Sequence, residues 1–421
     1  MPVGNIAASL GTQKEPLVSK LEKLSLAASR LWKHFKLNTK IKPVSNRPTR
    51  IPMQPLTSGK FRAGNFDGGP LGRGSGPQTL PATASCVSFV QASEWTAGAE
   101  WTTDSDEKAI EDYVALLQSQ QTETMGGYMD SLIQTDGSGT LDQIVAVNGN
   151  VLTVNNANFF QDNQDLDVYS NLLDQGGVMR GSVTVLSTDA INSQITLTAL
   201  PPNGTVVGDR LLVSGSAGIS NSSLFGLRYY LQAGNTGSWL NVQKSSYPGK
   251  FNVPNINAPG TLTQAVVRAV EAQMRLSIGI EKADQANVVA HCNVDMMAAW
   301  ELLSITTQRI DYVNLRGDES ADVLKRKQAS TIAGREVIVN ERARPGYIDF
   351  LGLENWFQIQ SKALSLYDVK GQVVFPTYGI DGSVATSMLM YMVIMPQVCA
   401  TQPHLNAFLS GVNIPRNYFG H

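Results

Sequence analysis

Val288-Val289-Ala290-His291-Cys292-Asn293-Val294-Asp295-Met296-Met297-Ala298-Ala299-Trp300 is the passage on which the fold reading turns. Its first part, from Ala286 to His291, is short, mostly apolar and rich in Val and Ala, which predicts a buried strand. Asn293 then stands where a helix N-cap belongs, and Met296, Met297, Trp300 and Leu303 follow at helical spacing. The hydrophobic period changes across one capping residue, so a strand feeds directly into a helix that must cover a sheet.

Outward from this passage the same alternation of elements continues. Ile332 to Val339 reads as a strand bent around Gly334, and Tyr347 to Leu353 as another. Further strands are expected at Trp356 to Ile359, Ala363 to Tyr367 and Met388 to Met395, followed by a final strand or extended tail. Upstream, Leu262 to Ile278 is a predicted helix with Ala265, Val266, Ala269, Val270, Gln273 and Met274 on its inner side. Residues 140–214 differ in kind: short alternating runs separated by Asn148-Gly149, Pro201-Pro202-Asn203-Gly204 and Gly208-Asp209 predict five or six strands in a small barrel or sandwich. Before them, a capping box at Thr103 to Asp106 opens a helix that carries Ile110, Val114, Leu117, Gln121, Met125, Tyr128 and Leu132. Continued to Ile133 it would be about 30 residues and ~45 Å long, weakened at Gly126-Gly127. Thr79 to Thr103, with Phe89, Trp95 and Trp101 and a turn at Ala97-Gly98, reads as a long two-stranded loop.

The N-terminal part is set apart by charge. Residues 1–75 hold thirteen Lys/Arg against Glu15, Glu22 and Asp67, a net of +10, and the rest of the chain nets −12. Such an arm suits a polyanion, the acidic surface of a neighbouring copy, or solvent. Leu17, Leu21, Leu24, Ala28, Leu31 and Phe35 form a heptad-type stripe, with Lys20, Lys23, Arg30, Lys33 and Lys36 off it. This predicts a basic amphipathic helix that packs on its own domain or on a partner. From Pro43 to Pro77 proline and glycine recur, so an extended arm or linker is expected.

The chemistry-bearing patterns are missing. The 421 residues contain no phosphate-loop, His-Glu-x-x-His, Cys-x-x-Cys or Gly-x-Ser-x-Gly motif. His291 and Cys292 are neighbours, but neighbours on a strand point to opposite faces. Asp162, Asp165 and Asp167 lack the glycine and distal Glu of a calcium loop and read as loop acids. Tyr229, Tyr230, Trp239, Trp300 and Trp356 do not interleave with basic residues as a single-strand nucleic-acid platform would. The three cysteines are dispersed, no apolar run reaches about 18 residues, and no signal-peptide pattern opens the chain. Only 16% of residues are charged while 42% are hydrophobic, as in a β-rich chain or one covered by copies of itself. A non-enzymatic protein without cofactor or metal is therefore expected.

The order of parts resembles the major capsid proteins of tailed bacteriophages, whose coat-protein fold is shared with encapsulins. The local likeness lies in Val288 to Asn293 leading into the Trp300 helix, in Ser330-Thr331-Ile332-Ala333-Gly334-Arg335-Glu336-Val337-Ile338-Val339, in Arg344-Pro345-Gly346, and in Tyr347-Ile348-Asp349-Phe350-Leu351-Gly352. The resemblance implies an α+β fold: a basic arm (1–77), an extended loop (78–104), a spine helix of the peripheral domain (105–139), an inserted β domain (140–214), an axial domain (215–345) and returning C-terminal strands (346–421). It also implies self-assembly of pentamers and hexamers into an icosahedral virion shell around double-stranded DNA, built in the bacterial cytoplasm. Scaffolding, portal and cement or decoration proteins are the implied partners, with no membrane. Subunit contacts are then expected at Leu17, Leu21, Leu24, Leu31 and Phe35 of the arm and at Phe89, Trp95 and Trp101 of the loop. Lys33, Lys36, Lys40, Lys42, Arg47 and Arg50 would face DNA or scaffold. No lysine lies between Lys60 and Lys108, so the isopeptide cross-link known in some members is not expected. The alternatives are an encapsulin-type compartment, a β-rich adhesin or carbohydrate-binding module, and a cryptic hydrolase.

Overall fold

The computed structural model describes residues 30–41, 43, 47–56, 76, 78–99, 113–234, 236–247, 249–307, 331–378 and 384–414. The chain divides into two units, one of Met1–Lys42, Cys86–Leu224 and Ile359–Pro396, the other of Pro43–Ser85, Phe225–Gln358 and Gln397–His421.

The first unit contains the helix Tyr113–Ile133, which continues through Gly126-Gly127 because Met125, Met129, Leu132 and Ile133 bury one side of it. The capping box and Ile110 lie outside the described residues. The six strands from Thr140 to Val213 close into a barrel whose order is Arg210–Val213, Thr140–Asn148, Val151–Val154, Gln194–Leu197, Met179–Asp189, Asp165–Tyr169. Alternation fills it: Ile144, Leu152, Val154, Leu166, Val168, Val185, Ile195 and Leu197 are all buried. The first hairpin turns one residue later than the Asn-Gly pair suggests. Asn148 pairs with Val151, so the loop is Gly149-Asn150, with Gly149 at φ 57° in its first position as a type II′ turn favours. The acids of this region are turned to local hydroxyls. Asp167 Oδ1 accepts from Ser182 Oγ at 2.6 Å, Asp165 Oδ1 from Thr184 Oγ1 at 2.7 Å and Asp162 Oδ1 from Thr188 Oγ1 at 3.2 Å.

The two-stranded loop expected over Thr79 to Thr103 is not what forms. Phe89–Thr96 instead pairs antiparallel with Val384–Ala400, from Thr96↔Ser387 to Phe89↔Ile394. That pairing buries Trp95 against Met390 and Ala99, which a free loop would leave in water. The 17-residue strand Val384–Ala400 exceeds the expected Met388 to Met395 and runs through Pro396, whose carbonyl accepts from Val87 N at 3.1 Å. Trp356–Leu366 is one strand of 11 residues rather than two, because the polar Gln360-Ser361-Lys362 segment stays half-buried within the ladder.

In the second unit, Val288–Cys292 lies inside a six-stranded sheet ordered Asn255–Gly260, Ala407–Val412, Ile348–Gly352, Val288–Cys292, Arg335–Val339, Thr331–Ile332. Asn293 caps the helix Val294–Thr307, its Oδ1 accepting from Met296 N at 2.8 Å. Val288, Ala290 and Cys292 join Met296, Met297 and Trp300 in one core. Gln264–Ile278 packs into that core through Val267, Val270 and Met274, and Ala265, Ala269 and Gln273 of the expected inner face are exposed. The expected bent strand at Ile332 to Val339 is a hairpin. Ala333 and Gly334, at φ 52° and 82°, reverse the chain so that Ile332 pairs with Arg335.

The stretch from Pro43 to Pro77, expected as arm or linker, contributes the strand Thr49–Leu56, which pairs antiparallel with Gln78–Ala84 from Thr49↔Ala84 to Leu56↔Gln78. The base of this ribbon is anchored within its unit: Thr83 N donates to Leu240 O at 2.9 Å and Asn241 Nδ2 to Thr83 O at 3.1 Å.

Candidate functional site

Three places concentrate the residues that sequence reasoning singled out: the end of the arm, the ribbon, and the face of the six-stranded sheet that carries His291.

At the arm, Trp32–His34 is a single 3₁₀ turn followed by extended Phe35 and the short strand Lys36–Leu37. The helical stripe therefore does not continue to Phe35. Leu17, Leu21 and Leu24 lie outside the described residues. Leu31 and Phe35 are 0% and 1% exposed, already covered by their own chain. The turn is held by Asp130, whose carboxylate accepts from the backbone N–H of Arg30, of Leu31 at 3.1 Å and of Trp32 at 2.8 Å. Asp130 lies in the last turn of the helix Tyr113–Ile133, where the macrodipole disfavours an anion. Three N–H donors offset that cost. Sequence reasoning missed this residue, because its partners are backbone groups that every residue carries.

Of the basic candidates, Lys33, Lys36, Lys40, Arg47 and Arg50 are exposed, and Lys42 lies outside the described residues. Lys33, Lys36 and Lys40 belong to the first unit, Arg47 and Arg50 to the second. Among the loop candidates, Trp95 is 1% exposed in its own chain, Phe89 is half-buried on the strand that pairs with Val384–Ala400, and Trp101 lies outside the described residues.

On the sheet, His291 stands opposite Asp349 across the ladder, on the face away from Ala290 and Cys292. Arg228 forms an ion pair with the Asp349 carboxylate, and His291 Nδ1 lies 3.5 Å from the same oxygen. The Arg228 guanidinium also sits 4.4 Å from the Tyr347 ring centroid. Burial pushes the Asp349 carboxyl up, but the Arg228 charge, with His291 close beside it, outweighs this and holds it below the ordinary carboxylate value. Burial pushes the Cys292 thiol up to about 12, so beside His291 it is a buried thiol and not a nucleophile. The aromatic residues form a further interior cluster. Tyr230 lies 4.8 Å from Trp239 and 5.2 Å from Trp356 by ring centroids, and Tyr230 Oη donates to Val398 O at 2.8 Å. These groups build and orient a body; none of them converges on a reacting atom.

No family model and no curated protein matches the sequence. Solved structures do match. The chain aligns over 95% of its length with 97% of a chain in the cyanophage A-1(L) capsid asymmetric unit, at TM-score 0.56 and 11% identity. It also aligns over 95% of its length with 95% of a chain in the capsid of the native GTA particle, at TM-score 0.50 and 9% identity. This chain has the phage capsid-protein fold. In this capsid fold the parts read from sequence recur as an α+β architecture, with the corrections given above: the two-stranded ribbon is Thr49–Leu56 with Gln78–Ala84, and Phe89–Thr96 belongs to the sheet of the first unit.

Proposed function

We propose that this chain is a major capsid subunit, a non-enzymatic building block that assembles as pentamers and hexamers into a closed icosahedral shell around double-stranded DNA. The observation that carries the proposal is the match to a phage capsid chain over 95% of this chain and 97% of that one at only 11% identity. A likeness this complete, with so little sequence in common, rests on architecture.

In this reading Tyr113–Ile133 is the spine helix, the six-stranded sheet is the core of the axial domain, the ribbon is the extended loop and the barrel is an inserted domain. The ribbon supports it physically. A two-stranded ribbon is marginal in water by itself, so its outer edges find further partners on neighbouring copies. Exposed Lys33, Lys36, Lys40, Arg47 and Arg50 suit phosphate contacts that are salt-sensitive and indifferent to base sequence. Scaffolding, portal and decoration proteins complete the proposed set of partners, with assembly in the bacterial cytoplasm and the virion as destination.

The test is expression of the full chain, alone and with candidate scaffolding proteins, followed by velocity sedimentation and negative-stain microscopy. Closed shells or ring-shaped capsomers are expected. A compact monomer under every condition overturns the proposal.

A further inference from the structure

A cleft of about 640 Å³ opens in the second unit between the ribbon and the turn that follows the long C-terminal strand. Its apolar lining includes Met53 and Leu80, which pair across the ribbon, together with Ile278. Its polar lining includes Lys250, Lys282 and His404, with Ser277 Oγ 2.7 Å from His404 Nδ1. Among the described residues no carboxylate lines the cleft. The nearest acids along the flanking helices are already engaged: Glu271 and Asp284 with Arg275 and Arg335, and Glu281 with Gln285. Lys250 and Lys282 have no carboxylate partner among the described residues, and burial together with the Lys250 charge pushes the His404 imidazole down.

We propose that this cleft binds a phosphate-bearing small molecule of nucleotide size, its phosphates held by Lys250 and Lys282 and its organic body against Met53, Leu80 and Ile278. The chemistry suits phosphate: two lysine ammonium groups and a serine hydroxyl are point donors, and a multiply charged tetrahedral anion can engage more than one of them. The volume is several times that of one phosphate ion and falls within the range of small-molecule sites. A free nucleotide and the phosphorylated end of a nucleic acid present the same group, and the test separates them.

The full-length chain is titrated with ADP, pyrophosphate, adenosine and a 5′-phosphorylated oligonucleotide by calorimetry. ADP and pyrophosphate are expected to bind and adenosine to bind far more weakly. Each of Lys250→Gln and Lys282→Gln weakens ADP roughly tenfold, as expected for loss of a charge-assisted hydrogen bond. Arg268→Gln, exposed and far back along the helix whose end lines the cleft, leaves ADP binding unchanged. Oligonucleotide binding that ADP competes away supports a nucleic-acid end as the natural source; its absence alongside ADP binding supports the free nucleotide. Equal binding of adenosine and ADP, or full ADP affinity in the double lysine variant, overturns the proposal. So does a double variant that keeps ADP but loses self-association, which assigns the cleft to an acidic surface of another copy. Thermal melts confirm that the variants are folded, and because binding is read directly on the chain, the result is independent of whether shells form.

Discussion

Each of the six strands from Thr140 to Val213 has two hydrogen-bonded neighbours, and the barrel presents no edge. The ribbon of Thr49–Leu56 and Gln78–Ala84 has one pairing and two outer edges, with Ile51, Leu80, Ala82 and Ala84 as its buried residues among those described. The barrel satisfies its backbone and fills its interior by itself; the ribbon buries Ile51, Leu80, Ala82 and Ala84 but pairs its two strands with each other alone. In the proposed assembly, one chain therefore contains a region whose stability is local and a region whose edges are completed by neighbours. The division decides where a mutation will be felt: in the melting of the isolated chain, or in what that chain can build.

The largest expected effect breaks the comparison if it fails. Replacing residues 57–77 by a two-residue turn leaves a folded body but abolishes particles in micrographs; wild-type particle yield would show that the ribbon needs no partner. Within the barrel, Leu152→Ala is expected to cost about 2–5 kcal/mol in denaturant unfolding, because Leu152 is fully buried in a closed interior that cannot collapse around the gap. The arm turn stands between the two regimes, with three of its N–H groups held by one residue of its own chain. Asp130→Ala should cost about 1–3 kcal/mol by leaving three N–H groups without their acceptor, and Asp130→Asn less, measured by thermal melting.

The smallest effect is at the footing of the ribbon, where Lys244 is fully buried and donates to Tyr230 O at 3.4 Å. Burial pulls its ammonium from 10.5 down to about 8. Between those values the unfolded chain binds the extra proton, so stability rises with pH across that window. Lys244→Met should remove the slope, which melting curves at pH 7.5 and 10 would detect.

How much of this was readable beforehand depends on how far apart the partners lie. The passage from Val288 to Trp300 was legible because strand, N-cap and helix are contiguous, and each leaves its own mark on the sequence. The barrel strands were legible for the same reason, although the Asn148-Gly149 pair set the turn one residue early. Ala333-Gly334 was misread because a non-glycine residue at φ 52° carries no reliable signature. Phe89–Thr96 and Val384–Ala400 are far apart in the chain, so alternation predicts each strand but not their union. The ribbon was hidden by the glycines and prolines that separate its strands. For the candidate contact residues, apolar spacing marked Leu31, Phe35 and Trp95 as residues that seek burial, and their own chain meets that need.

The hold of Asp130 on Arg30, Leu31 and Trp32 has a mechanical consequence. Tension applied at Arg30 reaches one carboxylate in the final turn of a 21-residue helix, beside the buried Leu31 and Phe35 that share the load. The attachment is a mooring: three N–H groups in succession share a single anchor. A tug on this protein's leading end is thus felt at a fixed point on a stiff rod.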